Sequence, residues 1–190
     1  MRNITDCVNA LLRLLYTDYE IMLGRKGVAV TLKISIDKKD CFHLMGLQYL
    51  KDRPELNRDR GKVFDEIAEG VISIRDLESS HFYDKIKERI HFLPLLEEIM
   101  DSNDTIFKYN KKQDIFSMID AEYLLKHNKE NRNLFLFLSK KQDDTYFCRS
   151  FFPEEKKDYS KNQASWTLLY KKKINRKTGT EYVLYDKVDR

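Results

Sequence analysis

Asn133-Leu134-Phe135-Leu136-Phe137-Leu138, then Tyr146-Phe147-Cys148-Arg149-Ser150-Phe151-Phe152, then Ser165-Trp166-Thr167-Leu168-Leu169-Tyr170-Lys171, is the succession whose reading decides the fold. Each run has strand length, is rich in aromatic and aliphatic residues and is bounded by polar turn residues, the pattern of a sheet. Within 134–138 both alternating sets are apolar, which predicts a central strand covered on both faces. Further runs occur at Thr105 to Tyr109, Ile115 to Met118 and Thr180 to Tyr185, and Asn175-Arg176-Lys177-Thr178-Gly179 supplies the turn of a final hairpin. Ala121 to Lys126 reads as a helical turn between these runs.

Toward the N-terminus the apolar period changes. Ile4, Val8, Leu11, Leu12 and Leu15 fall on one helix face, which predicts an amphipathic helix over residues 4–19. Gly24 and Gly27 bracket a turn, and the alternation from Val28 to Ile36 predicts a half-buried strand. Cys41 to Leu47 reads as a second short strand or the start of a helix. Residues 51–62 read as a charged surface loop and Val63 to Ala68 as a short helix before Gly70. Ser79 and Ser80 are candidate caps for a helix with an apolar stripe at Phe82, Ile86, Ile90 and Leu93, kinked at Pro94 and continued from Leu95 to Met100. No linker divides the chain, so the expectation is a single α+β domain over residues 1–190. Its N-terminal helices pack against a mainly antiparallel sheet formed largely by the C-terminal half.

Lys and Arg number 35 against 31 Asp and Glu, a net charge of +4 that permits an anionic partner without requiring one. Cys7, Cys41 and Cys148 are odd in number and widely spaced, so reduced thiols and a cytoplasmic location are expected. No apolar run approaches the roughly 20 residues of a membrane span, so no membrane partner is expected.

No P-loop, GxGxxG, HExxH or GxSxG pattern is present, which removes the common nucleotide-binding, metalloprotease and serine-hydrolase readings. Cys41 and His43 are too few for a zinc site, so neither metal nor cofactor is expected. His43, read in a strand-like context, is the foremost candidate acid or base, against the plainer alternative of a satisfied sheet histidine. Lys85 and Arg89, one helical turn apart, could bind phosphate, or lie on an exposed helix face. Arg149 and Ser150 could act on a phosphate, but strict alternation points them to opposite faces unless a bulge intervenes. Lys156, Lys157, Lys161, Lys171, Lys172, Lys173, Arg176 and Lys177 interleave with Tyr159, Trp166 and Tyr170, a mixture able to hold phosphates and stack bases. Equally, it describes a solvated hairpin, and Trp166, Leu168 and Tyr170 share a face expected in the core.

Phe42-His43-Leu44-Met45-Gly46-Leu47, Lys85-Ile86-Lys87-Glu88-Arg89-Ile90, Leu134 to Leu138, Arg149-Ser150-Phe151-Phe152, and Asp158-Tyr159 with Gln163 and Leu168-Leu169 together resemble one known family. It is the fourth type of the phage-associated barnase/EndoU/colicin/RelE-like nuclease domains, and the likeness covers about residues 5–173. The resemblance implies a metal-independent, toxin-like endoribonuclease of a phage or mobile element, with RNA as partner and room for a cognate inhibitor protein. It implies His43 as base or acid, Lys85 or Arg89 on the phosphate, Ser150 and Tyr159 orienting it or relaying a proton, and Gln163, Lys171 and Lys172 near the substrate. The alternative is a non-catalytic module that binds nucleic acid or protein.

Overall fold

In the computed structural model, residues 2–113 and 117–188 are described. The first helix, α1 (Ile4–Leu14), is started by a reciprocal cap in which Asp6 N–H donates to Asn3 Oδ1 at 3.1 Å and Asn3 N–H to Asp6 Oδ2 at 2.8 Å. It buries Ile4, Cys7, Val8, Leu11 and Leu14 and ends earlier than its periodicity predicted. Tyr19, Ile21 and Leu23 alternate instead as the buried face of β1 (Thr17–Arg25), so the expected helical tail is strand. Gly24 lies within that strand, and the turn to β2 (Val28–Ile34) is Lys26-Gly27, both at positive φ, the geometry of a two-residue hairpin.

Of the strand and the helix start that the sequence leaves open for residues 41–47, the structure has the helix, α2 (Lys38–Met45), so the strand-like context expected for His43 is replaced by a helical one. Asp37 precedes it, its N–H donating to Asp40 Oδ2 at 2.9 Å, and Gly46 ends it at φ 80°. Helices α3 (Arg60–Ala68), α4 (Ile74–Glu78), α5 (Asp84–Phe92) and α6 (Leu96–Asp101) follow. The stripe Ile86, Ile90, Leu93 is buried as expected, but α5 begins at Asp84 without a side-chain cap from Ser79 or Ser80. Pro94 sits in a 3-10 turn between α5 and α6.

The remaining strands are β3 (Ile106–Lys108), β4 (Tyr123–Lys129), β5 (Arg132–Lys140), β6 (Tyr146–Pro153), β7 (Ala164–Asn175) and β8 (Glu181–Asp186). Residues 121–126, expected as a helical turn, instead lead into and form β4, paired along its length with β5. Of the run from Ile115 to Met118, residues 115 and 116 lie outside the described residues. The order β1-β2-β6-β5-β4-β3-β7 closes through a β7–β1 pairing, with β8 added to β7, so the sheet is a closed, mostly antiparallel barrel. The parallel pair β2–β6, with the single register match Ile34 to Tyr146, is the narrow seam.

Leu134, Leu136 and Leu138 enter the main core with the helices, while Phe135 and Phe137 join Tyr109 and Leu124 in a second cluster on the other face. The central strand is thus covered on both sides, as its doubly apolar pattern predicted. Leu168 is buried and Trp166 packs against the main core. All three cysteines are free and buried, and burial pushes each thiol well above its ordinary pKa. No helix among the described residues is long and apolar enough to cross a membrane.

Candidate nucleic-acid-processing cleft

The C-terminus of α2 is the pivot of the site. Only a residue tolerant of positive φ can end the helix as Gly46 does, and a Cβ there would meet Ile86 Cγ2 at 2.9 Å and Arg89 Cδ at 3.1 Å. The glycine therefore lets α2 close onto α5, which brings His43 and Arg89 together. Arg89 Nη1 donates to the His43 carbonyl oxygen at 3.2 Å.

Arg89 is 8% exposed, and its Nε–H is buried without a hydrogen-bond partner. Its guanidinium lies 5.6 Å from the Tyr49 ring centre and 5.8 Å from that of Phe152. Burial pulls its pKa down, with Tyr49 and Glu155 acting the other way. Among the described residues no carboxylate forms an ion pair with it. A buried cation without a counter-ion is costly, and an anionic ligand would relieve that cost.

His43 is half-buried. Arg60 Nη1 lies 2.7 Å from its Nε2, and because a guanidinium only donates, Nε2 is the acceptor and the ring is neutral. Burial first, then the positive charges of Arg60, Arg149 and Arg89, pull its pKa below the ordinary imidazole value, while Gln48 acts in the opposite direction. An imidazole held neutral beside three cations has the chemistry of a candidate base, placed where a phosphate would be attracted.

β6 contributes through a bulge. Ser150 pairs with Phe137 and Cys148 with Leu138, so Arg149 is the extra residue between them. Cys148 belongs to the main core and also borders a cleft of about 220 Å³ that Arg149 and Ser150 line with His43, Gln48 and Tyr49. Strict alternation would have kept Ser150 with Cys148 and Tyr146, and the bulge breaks that parity. Asp40, one helical turn before His43, lines the same cleft, and burial raises its carboxyl pKa.

Tyr49 also lines an adjoining cleft of about 340 Å³ with Lys85, Arg89, Phe152, Lys156 and Tyr159. Tyr159 belongs to the second aromatic cluster, packed on Phe135, Phe137 and Phe152, and does not line the clefts around His43. Lys85 stands exposed at this rim, 4.6 Å from the Phe82 ring centre. Gln163 lies further along, beyond Tyr159, its amide receiving Asn110 N–H at 2.7 Å and donating to Asn110 O at 3.3 Å.

Lys171 and Lys172 lie in none of these clefts. Lys171 is 1% exposed, its ammonium donating to the carbonyls of Met100 at 3.1 Å and of Ser102. Lys172 pairs with Glu181 at 3.0 Å. The structure thus brings His43, Arg89, Ser150 and Lys85 onto one continuous surface, sets Tyr159 and Gln163 at its far end, and holds Lys171 and Lys172 in internal contacts. Arg60, Tyr49, Gln48 and Asp40 were missed in the sequence. Asp59 directly before Arg60 is a helix-capping signal, and its carboxylate does accept from Lys62 N–H at 2.9 Å, but nothing in the sequence aims Arg60 at His43.

A family model described as phage-Barnase-EndoU-ColicinE5/D-RelE like nuclease4 matches residues 3–188. Neither a curated protein nor a solved structure matches the chain.

Proposed function

The chain belongs to this phage-associated barnase/EndoU/colicin/RelE-like nuclease family, and on that premise we propose that it is a metal-independent endoribonuclease whose reaction centre is the cleft at His43. The observation that carries the reading is the neutral imidazole held among Arg60, Arg149 and Arg89, three cations that make no ion pair among the described residues. Arg60 turns from His43 Nε2 to the phosphate, and the freed Nε2 of neutral His43 takes the proton of a ribose 2′-hydroxyl, whose oxygen attacks the neighbouring phosphorus. Arg149 and Arg60 offset the charge that develops on the phosphoryl oxygens, and Ser150 orients one of them. The departing 5′-oxygen takes its proton from solvent or from Asp40, whose carboxyl pKa burial raises above its ordinary value. Arg89 and Lys85 hold backbone phosphate in the adjoining cleft. The toxin-like role and a cognate inhibitor protein belong to the same proposal, because an unregulated ribonuclease would damage the cell that makes it.

The test is incubation of wild type and His43→Ala with labelled RNA in excess EDTA, resolved on a gel. Cleavage by wild type alone is the expected result. Equal cleavage by both would remove His43 from the chemistry, and no cleavage of any RNA class by either would leave the binding-module alternative in its place.

A further inference from the structure

Tyr49 occupies a position that the reaction chemistry does not require. It follows Gly46 in a short 3-10 turn, its N–H donating to Gly46 O at 3.0 Å, so its backbone is placed by the same glycine turn that lets Arg89 approach. Despite that fixed backbone its side chain is 41% exposed, one of few large apolar groups left in water. It is also the residue shared by the two clefts, with His43 and Arg149 on one side and Arg89 and Lys85 on the other. Arg89 lies 5.6 Å from the ring centre.

We infer that Tyr49 is a base-stacking platform set between two phosphate sites, so that the substrate is a single-stranded RNA segment with one nucleotide unstacked onto Tyr49. The cleaved phosphate lies at His43 and Arg149, and an adjacent phosphate lies at Arg89. This rests on the nuclease reading above for the chemistry at His43, but the platform itself makes a separate demand. Bases within a duplex stack on one another and offer no free face to a protein ring, whereas an unpaired nucleotide can be splayed onto one. The second phosphate is specified by Arg89 rather than by diffuse charge, since the rim of its cleft carries Asp84, Glu88 and Glu155 beside Lys85, Lys156 and Lys157. Arg89, buried and lacking a carboxylate, is the cation there that most needs an anion.

The experiment uses hexanucleotides of 2′-O-methyl RNA, which lack the attacking hydroxyl, and reads binding by fluorescence anisotropy. Wild type is expected to prefer the single strand over a blunt duplex of the same sequence. Replacing Tyr49→Leu, which keeps apolar bulk without the π-face, should weaken binding of the strand about 5- to 100-fold, and Tyr49→Phe should retain it. An abasic nucleotide scanned through the strand should reproduce the Tyr49→Leu loss at one position, and at that position should cost Tyr49→Leu nothing further. Unchanged affinity in Tyr49→Leu, equal affinity for duplex, or additive abasic and Tyr49→Leu losses would each overturn the platform. Binding with this signature but no cleavage of ordinary RNA would refute the nuclease reading and leave the platform standing. Cleavage without the signature would do the reverse.

Discussion

The cleft between α2, α5 and β6 and the sheet surface of β7 and β8 are both rich in basic residues, and they use them in opposite ways. On β7 and just beyond it each cation is answered from within the protein. Lys172 meets Glu181, Lys173 meets Asp101 at 2.5 Å and Glu97 at 3.6 Å, Arg176 meets Asp18 at 2.5 Å, and Lys171 meets carbonyls at the end of α6. At the cleft, Arg60, Arg89 and Arg149 have no carboxylate partner among the described residues. Basic density alone therefore does not separate the two regions. What separates them is charge that folding leaves uncompensated, which is the charge an incoming phosphate could meet on the proposed reading.

Four substitutions separate the two regions, from the largest expected effect to the smallest. His43→Ala should lower kcat for RNA cleavage by about 10²- to 10⁴-fold, the usual contribution of a positioned acid or base, with RNA affinity retained. On the opposite side, Lys171 is pulled down to about 8, chiefly by burial. Between about pH 8 and 10.5 the unfolded chain binds a proton there that the folded chain lacks, so the wild type should gain stability relative to Lys171→Met as pH rises through that window. The gain is on the order of 3 kcal/mol, read from denaturant melts of both proteins. A flat difference would mean that the ammonium is not buried as described.

Arg89→Met should weaken RNA binding about 10- to 100-fold, the scale of a charge-assisted hydrogen bond, while thermal stability holds or rises because an unpaired buried charge has been removed. A large fall in Tm would instead identify Arg89 as structural. Arg60→Gln should shift the acid limb of the pH–rate profile upward, since one of the cations that depress the His43 pKa is gone. Wild type should therefore stay active on the acidic side of the ordinary imidazole range, where Arg60→Gln fades.

Much of the fold was legible because its periods are strong. The doubly apolar strand at residues 134–138, the stripe of α1 and the final hairpin each follow from one pattern. What failed did so for local reasons. β1 begins within three residues of α1, so the helical expectation runs on to residue 19 over the first residues of a strand whose alternation, Tyr19, Ile21 and Leu23, shows only beyond it. Ala121 to Lys126 has good helix formers, and pairing with β5 overrides that preference.

The candidate site was legible in residue type but not in arrangement. His43, Arg89 and Ser150 stand out by type, yet the sequence leaves residues 41–47 open between strand and helix, and the bulge that turns Arg149 and Ser150 to one cleft has no signature in it. Lys171 and Lys172 look as available as Arg89 when read in the chain, and only the fold supplies the partners that occupy them. Tyr49 sits beside the close approach of α2 and α5 that Gly46 permits, and Arg60 reaches His43 through the packing of α3 on α2, contacts between segments that periodicity does not encode.

The most direct measurement is the salt dependence of RNA affinity in the His43→Ala background, which keeps the RNA intact. Arg89→Gln with Arg149→Gln would be compared there with Lys172→Gln with Lys173→Gln. Each phosphate contact to a single strand contributes about 0.7 to the slope of log affinity against log salt, so removing the cleft pair should lower the slope by about 1.4. The β7 pair should leave it unchanged. A slope that falls with the β7 pair and holds with the cleft pair would place the RNA on the opposite side of the barrel and contradict the account.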